Sequence, residues 1–236
     1  MYWEFRNASR FSWVFSAIER NANPQKPGFS HGTAGIADAL VRLYQATQDE
    51  VFLETAEAGF RHEQHWFDPV AKNWPDLRES LADSATLRAR DYSVYWCHGA
   101  PGILLARLNA HAATGNGDYL RQARAALSTL CAHFYAPATD VDLESLCLYH
   151  GLVGNADIAL TAQRASMSTD CELDQIFNAA RHAISGLVGK LVATGRTANV
   201  LDRVGLMTGV AGLGWFCLRL IDSNTPSVLN CLSNDR

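Results

Sequence analysis

The 236-residue sequence has no long run of basic residues, and its formal charge at pH 7 is −4 with a pI near 6.0. A nucleic-acid partner is not expected of such a chain. The longest apolar stretches are interrupted by Arg, Asp or Gly, so no transmembrane segment is expected. The opening MYWEFRNASRFSWVF lacks a basic leader followed by a clean apolar run. It does not read as a secretory signal, and a cytoplasmic location is expected. Strand-like alternation of apolar and polar residues is scarce. The six cysteines, at 97, 131, 147, 171, 217 and 231, are scattered rather than set in a disulfide framework, and most are expected to be reduced. Cys131, Cys171, Cys217 and Cys231 read as small apolar core residues. With 48% hydrophobic and 19% charged residues, the chain has the means to bury one large core.

What the sequence does have is a recurring phrase. It reads His31-Gly32-Thr33-Ala34-Gly35, His98-Gly99-Ala100-Pro101-Gly102, His150-Gly151-Leu152-Val153-Gly154 and, with threonine for histidine, Thr208-Gly209-Val210-Ala211-Gly212. Successive copies lie 67, 52 and 58 residues apart. A phrase repeated at that period marks an array of similar supersecondary units, and a curved or closed array would gather the histidines at one end. Glycine at a helix start also allows close backbone approach and a tight entry turn. That alone could explain the Gly-x-x-Gly pairs without any chemistry, and both readings stay open. Gly186-Leu187-Val188-Gly189 lacks the histidine and reads as fortuitous.

Helical periodicity dominates. Apolar runs follow each phrase: Ile36, Leu40, Leu43 and Tyr44; Ile103 to Leu108; Ala156 to Leu160; Leu213 to Leu220. These helices are expected to be buried on most sides. Between them, Asp49–Glu63, Asp118–Phe134 and Cys171–Lys190 read as amphipathic, one-sided helices, the first with the acidic start a helix favours. Buried helices alternating with half-exposed ones predict an all-α double layer of helical hairpins. Two connecting segments, Phe67–Glu79 with its Asn73-Trp74-Pro75-Asp76-Leu77-Arg78 and the polar Ser80–Tyr95, could form a flap over one end.

Cys97 immediately precedes the second phrase, and Cys147 stands three residues before His150. Thiolate and imidazole are good zinc ligands, and two sulfurs with one nitrogen leave a fourth position open for catalysis. Cys97, Cys147 and His150 are therefore the candidate metal ligands. His31 has no cysteine beside it. It is either a general acid or base near the metal or a helix-terminus histidine satisfied by local backbone. His98 reads as a supporting or structural residue, and His62, His65, His111, His133 and His182 as solvated.

These residues resemble the lanthionine synthetase C-like cyclases, and most nearly the carboxy-terminal cyclase domain of the class II, bifunctional lanthipeptide synthetases. The resemblance is carried by Gly28-Phe29-Ser30-His31-Gly32-Thr33-Ala34-Gly35-Ile36-Ala37, by Asn73 to Arg78, by Trp96-Cys97-His98-Gly99-Ala100-Pro101-Gly102 and by Gly205 to Gly212. It extends through Leu218-Arg219-Leu220 and Pro226-Ser227-Val228-Leu229. The resemblance implies an α/α toroid with inner and outer rings of helices and a zinc ion at one mouth. It implies a dehydrated precursor peptide as substrate, whose cysteine thiols are deprotonated on the metal. They add to dehydroalanine or dehydrobutyrine to form thioether rings, and the residue matching His31 is implied in moving the proton.

The sequence departs from the family pattern in three places. Where the family has Cys-His-Gly, this chain reads Cys147-Leu148-Tyr149-His150-Gly151. Either Tyr149 takes the cysteine's place or two residues are inserted and Cys147 still reaches the metal. The family toroid has more hairpins than the four phrases here, so residues 1–236 are expected to be a carboxy-terminal partial ring of the cyclase domain. A dehydratase domain or a missing amino-terminal segment is then an expected partner, and inner helices are expected to show apolar surface at the open edge. The acidic residue that the family contributes from an early hairpin has no counterpart. Three functions follow: a zinc-dependent lanthipeptide cyclase, a degenerate toroid that only binds peptide, and an unrelated toroid enzyme such as a glycosidase. The last needs paired carboxylates, and the phrases hold none.

Overall fold

A computed structural model describes residues 26–77, 91–134, 142–167, 173–194 and 203–230. Eight helices lie among them: α1 (Thr33–Thr47), α2 (Glu50–His65), α3 (Ala100–Thr114), α4 (Gly117–Phe134), the single-turn α5 (Leu143–Leu146), α6 (Leu152–Arg164), α7 (Leu173–Thr194) and α8 (Val210–Ile221). Extended pairing among the described residues is limited to two isolated antiparallel bridges, Asp68 with Asn73 and Asp76 with Asp91. The segment expected to form a flap falls largely outside the described residues, as do Cys171 and Cys231.

The helices that follow the phrases form one row, α1 against α3, α3 against α6 and α6 against α8. The amphipathic helices back them: α2 on α1, α4 on α3 and α7 on α6, with α4 also meeting α7. This is the predicted all-α double layer. Each outer helix buries one stripe, Ala56, Gly59, Phe60 and Glu63 on α2 and Tyr119, Ala123, Ala126, Leu127, Leu130 and Cys131 on α4. Leu173, Ile176, Phe177, Ala180 and Leu187 do the same on α7. At the start of α2, Asp49 caps the helix by accepting from the Val51 amide at 3.2 Å.

The inner row departs at its ends from the burial on most sides expected of these helices, and shows there the apolar surface expected of an open edge. In α6 every residue from Val153 to Ala162 is buried, and α3 is nearly as enclosed. By contrast α1 leaves Ile36 50% and Leu43 44% exposed, and α8 leaves Leu218 52% and Ile221 83% exposed. The reason is position: among the described residues, the main inner-row neighbour of α1 is α3 and that of α8 is α6, each on one side. Half-buried Cys217 lies on α8, whereas Cys131 is a core residue as expected.

The recurring phrase has a common geometry. Its first glycine, Gly32, Gly99, Gly151 or Gly209, is the helix N-cap and offers no side chain to the orphan amides of the first turn. The preceding loop curls back and supplies carbonyls instead. Thr33 N donates to Lys26 O at 2.9 Å, Ala34 N to Gly28 O at 3.1 Å, Gly154 N to Cys147 O at 3.3 Å and Val210 N to Arg203 O at 2.9 Å. The second glycine makes room for that loop. A Cβ on Gly35, Gly102, Gly154 or Gly212 would fall inside contact of the carbonyl oxygen six residues earlier, on Phe29, Trp96, Leu148 or Leu206. Close backbone approach therefore accounts for all four copies. Gly186 and Gly189 have nothing within 4 Å of such a Cβ, in line with the fortuitous reading.

Candidate functional site

Because every phrase opens an inner helix, the four loops before those helices meet at one end of the layer. The first two are clamped together: Phe29 N and Ser30 N both donate to Cys97 O, at 3.1 and 3.2 Å. The clamp needs Gly28, which sits at φ 124°, and a Cβ there would lie 2.9 Å from Cys97 O. The third and fourth loops are joined by Tyr149 N donating to Met207 O at 3.0 Å. The two pairs then meet through side chains. The Tyr149 hydroxyl lies 3.0 Å from Ser30 Oγ and 3.2 Å from His31 Nε2. Its ring stands edge-on to Trp96 at 5.6 Å and to His150 at 5.6 Å, and Trp96 contacts Phe29 at 5.4 Å. The array thus gathers the phrase histidines, with His31 and His98 rings 6.5 Å apart and His31 linked to the His150 loop through Tyr149.

Two buried groups to which the sequence assigned no role hold this mouth. Asn73 Oδ1 accepts from the amides of Trp74 and Ala100, at 2.8 and 2.9 Å, while its Nδ2 donates to Ser93 O at 3.0 Å. It is the cap that α3 lacks from its own loop, and it explains why Asn73 and Trp74 stand together in the resemblance. The second group is Glu63. Wholly buried on α2, it pairs with Arg107 of α3 at 2.9 Å and accepts from Gly28 N at 3.1 Å. Burial pushes its carboxyl above the usual range, against the pull of Arg107 and of the Gly28 and Ala34 amides. Arg107 also stacks 4.2 Å over the Phe60 ring and donates to Gln122 Oε1 at 2.6 Å. The sequence did carry a signal, since a carboxylate occupies the apolar stripe of α2 and a guanidinium the apolar run of α3.

Of the residues picked from sequence, His31 is exposed in the mouth, Cys97 and Cys147 are buried thiols, and His150 is half-buried with Nε2 3.7 Å from Glu144 Oε1. His98 is buried, its Nδ1 4.0 Å from Asp76 Oδ1, as a supporting residue would be. Among the described residues, no three His, Cys, Asp or Glu side chains are gathered as a metal site. Cys97, Cys147 and His150 are thus not brought together as the three-ligand set expected. The cause is the chain between them. Cys147 ends the short helix α5, fully buried, with its backbone packed under Gly151. Leu148 is buried against Gly212 at the start of α8, and Tyr149 is the residue that reaches the mouth. Thiolate and imidazole are donors of the right kind for zinc, but a catalytic site takes three protein ligands, and this arrangement does not fit one.

The fold and mouth can be set beside known proteins. A model of the lanthionine synthetase C-like protein family matches residues 5–233, and the chain belongs to that family. It is 27% identical over 199 residues to the lacticin 481/lactococcin biosynthesis protein LcnDR2 of Lactococcus lactis subsp. lactis, an alignment covering 82% of this chain and 20% of that protein. Among solved structures it is similar to nisin cyclase, with a TM-score of 0.57, 18% identity, 89% of this chain covered and 50% of that one. The chain therefore spans a fifth to a half of the length of these relatives. The likeness to nisin cyclase identifies the double layer as that of an α/α toroid. No helix among the described residues is long and apolar enough to cross a membrane.

Proposed function

We propose that this chain closes thioether rings in a dehydrated precursor peptide, joining cysteine thiols to dehydroalanine or dehydrobutyrine at the mouth described above. Family membership supports this reading, as do the biosynthetic role in the lacticin relative's name and the cyclase activity in the nisin protein's name. The observation that carries it is His31, an exposed imidazole at the one place where the loops of all four phrases converge.

The reaction needs a group that moves one proton. The peptide thiol ionises, its sulfur forms a bond to the β-carbon of the dehydro residue, and the double-bond electrons shift toward the α-carbon and its carbonyl. The enolate then takes a proton at the α-carbon, so the thiol's hydrogen is regained and the peptide's mass does not change. An imidazole can both accept and give up a proton, and His31 is assigned to that transfer. Such a substrate presupposes a dehydration reaction on peptide serine or threonine, which makes a dehydratase the expected partner.

A dehydrated peptide with free cysteines, trapped after reaction by a thiol-alkylating reagent, gives the test. Each ring closed removes one alkylation adduct. We expect adduct loss with the unmodified chain and, with His31→Ala, a rate lower by on the order of a hundredfold. No adduct loss above the uncatalysed rate would overturn the proposal and leave a peptide-binding module.

A second reading keeps zinc, held by Cys97, Cys147 and His150. The two buried thiols and the half-buried imidazole on adjoining loops favour it, provided the 147–150 turn rearranges around the ion. Elemental analysis separates the two: about one zinc per chain, lost in Cys147→Ala, selects the second reading.

A further inference from the structure

Tyr149 occupies the mouth where the resemblance calls for a metal ligand, and it spends its hydroxyl on His31. We infer that Tyr149 is a positioning residue for His31: its O–H donates to His31 Nε2, holds the neutral imidazole as the Nδ1–H tautomer and leaves Nδ1 as the nitrogen free to meet the peptide. The inference rests on the proton-carrying role proposed for His31.

The direction of the hydrogen bond follows from the groups present. The phenol has one proton to give and two neighbours, Ser30 Oγ at 3.0 Å and His31 Nε2 at 3.2 Å. A bare imidazole nitrogen is the best acceptor among them, and the phenol is the more acidic of the two hydroxyls. The satisfied arrangement therefore runs from the Ser30 hydroxyl to the Tyr149 oxygen and from the Tyr149 hydroxyl to His31 Nε2. The phenol is not free to turn elsewhere. Its ring is wedged between Trp96 and His150, and its amide is tied to Met207 O at 3.0 Å. His31 is likewise fixed from its own side, since Ser30 N is anchored to Cys97 O and Thr33 N to Lys26 O. The two loops thus meet through the Tyr149 hydroxyl, whose contacts with Ser30 and His31 set both the rotation of the imidazole and the position of its proton. A cysteine in the same place could not do this, because its side chain is too short to span the gap and its thiol is a weak donor.

The test is the tautomeric state of His31 in ¹⁵N-labelled protein, read from imidazole nitrogen chemical shifts at a pH where the ring is neutral. Tyr149→Phe keeps the ring against Trp96 and removes only the hydroxyl. We expect the Nδ1–H form to dominate in the unmodified chain, and the Nδ1–H to Nε2–H ratio to fall roughly fivefold in Tyr149→Phe, the ratio change matching one ordinary hydrogen bond. An unmodified chain already in the Nε2–H form, or a ratio unchanged in Tyr149→Phe, would overturn the inference. Should Tyr149→Phe lose its helical signal, Tyr149→Leu, which keeps an apolar side chain with no hydrogen-bond donor, replaces it with the same expected ratio change. No peptide is needed for this measurement. A tautomer shift without ring closure leaves the positioning role intact and removes the proposed activity, and ring closure without the shift does the reverse.

Discussion

Removing the Glu63 carboxylate should cost more stability than any single surface charge. Glu63 and Arg107 have no exposed side-chain area, and they face each other at 2.9 Å between an outer and an inner helix. Glu63→Ala leaves the guanidinium in the core without its counter-charge, a loss of about 3–5 kcal/mol in comparable buried pairs. The Gly28 amide loses its acceptor as well, but the two effects share one site and will not add fully. For a chain of this size that corresponds to a fall in melting temperature of roughly 10–15 °C. Thermal and urea unfolding of Glu63→Ala, Glu63→Gln and the double variant Glu63→Met with Arg107→Met would measure it. Glu63→Gln keeps an acceptor for both partners and should sit between wild type and alanine. The double variant should recover most of the loss, because it leaves no orphaned charge. If Glu63→Ala lies within about 1 kcal/mol of the unmodified chain, the buried pair does not hold the mouth as described above.

Two further expectations concern the phrases and the loop that precedes the third. Gly154→Ala should destabilise by about 2 kcal/mol or more, since its methyl would enter the Leu148 carbonyl, whereas Gly186→Ala, in open space on α7, should be neutral or gain up to about 1 kcal/mol; chemical denaturation compares them directly. Asp142 caps α5 through a reciprocal box with Ser145, whose amide and hydroxyl hold the Asp142 carboxyl below its ordinary value of 3.8. Its contribution, about 1 kcal/mol, is therefore complete above that value and disappears as pH falls through the lower folded-state pKa. Asp142→Ala should accordingly be less stable at neutral pH, with the difference closing in strong acid.

The architecture was legible because one short phrase marks each inner helix, and because stripe width separates inner from outer helices. Asp49 as a helix start, the stripe of α4 and the fortuitous Gly186-Gly189 pair all follow from local rules. The one-sided burial of α1 and α8 does not, since it depends on where each helix falls in the row and not on its own composition. The mouth was half legible. His31 and the weakness of the Cys147 match were visible as pattern. Whether Cys147 or Tyr149 would face inward was decided by packing, through Leu148 against Gly212 and the tie from Tyr149 N to Met207 O. Asn73 and Glu63 act through buried hydrogen bonds to loops 27 and 35 residues away, a reach no spacing rule conveys.

The way each loop folds back on its own helix has a consequence for how such a domain could change. In the units of α1, α6 and α8 the frame is closed by main-chain carbonyls and two glycines, contacts that do not involve the side chain just before the first glycine, whereas α3 draws its cap from Asn73. That position holds histidine three times and threonine once. Chemistry at the mouth is therefore interchangeable unit by unit, like keys set on a fixed board. A tyrosine beside one of those positions can alter what the site does while the helices beneath it stay where they are.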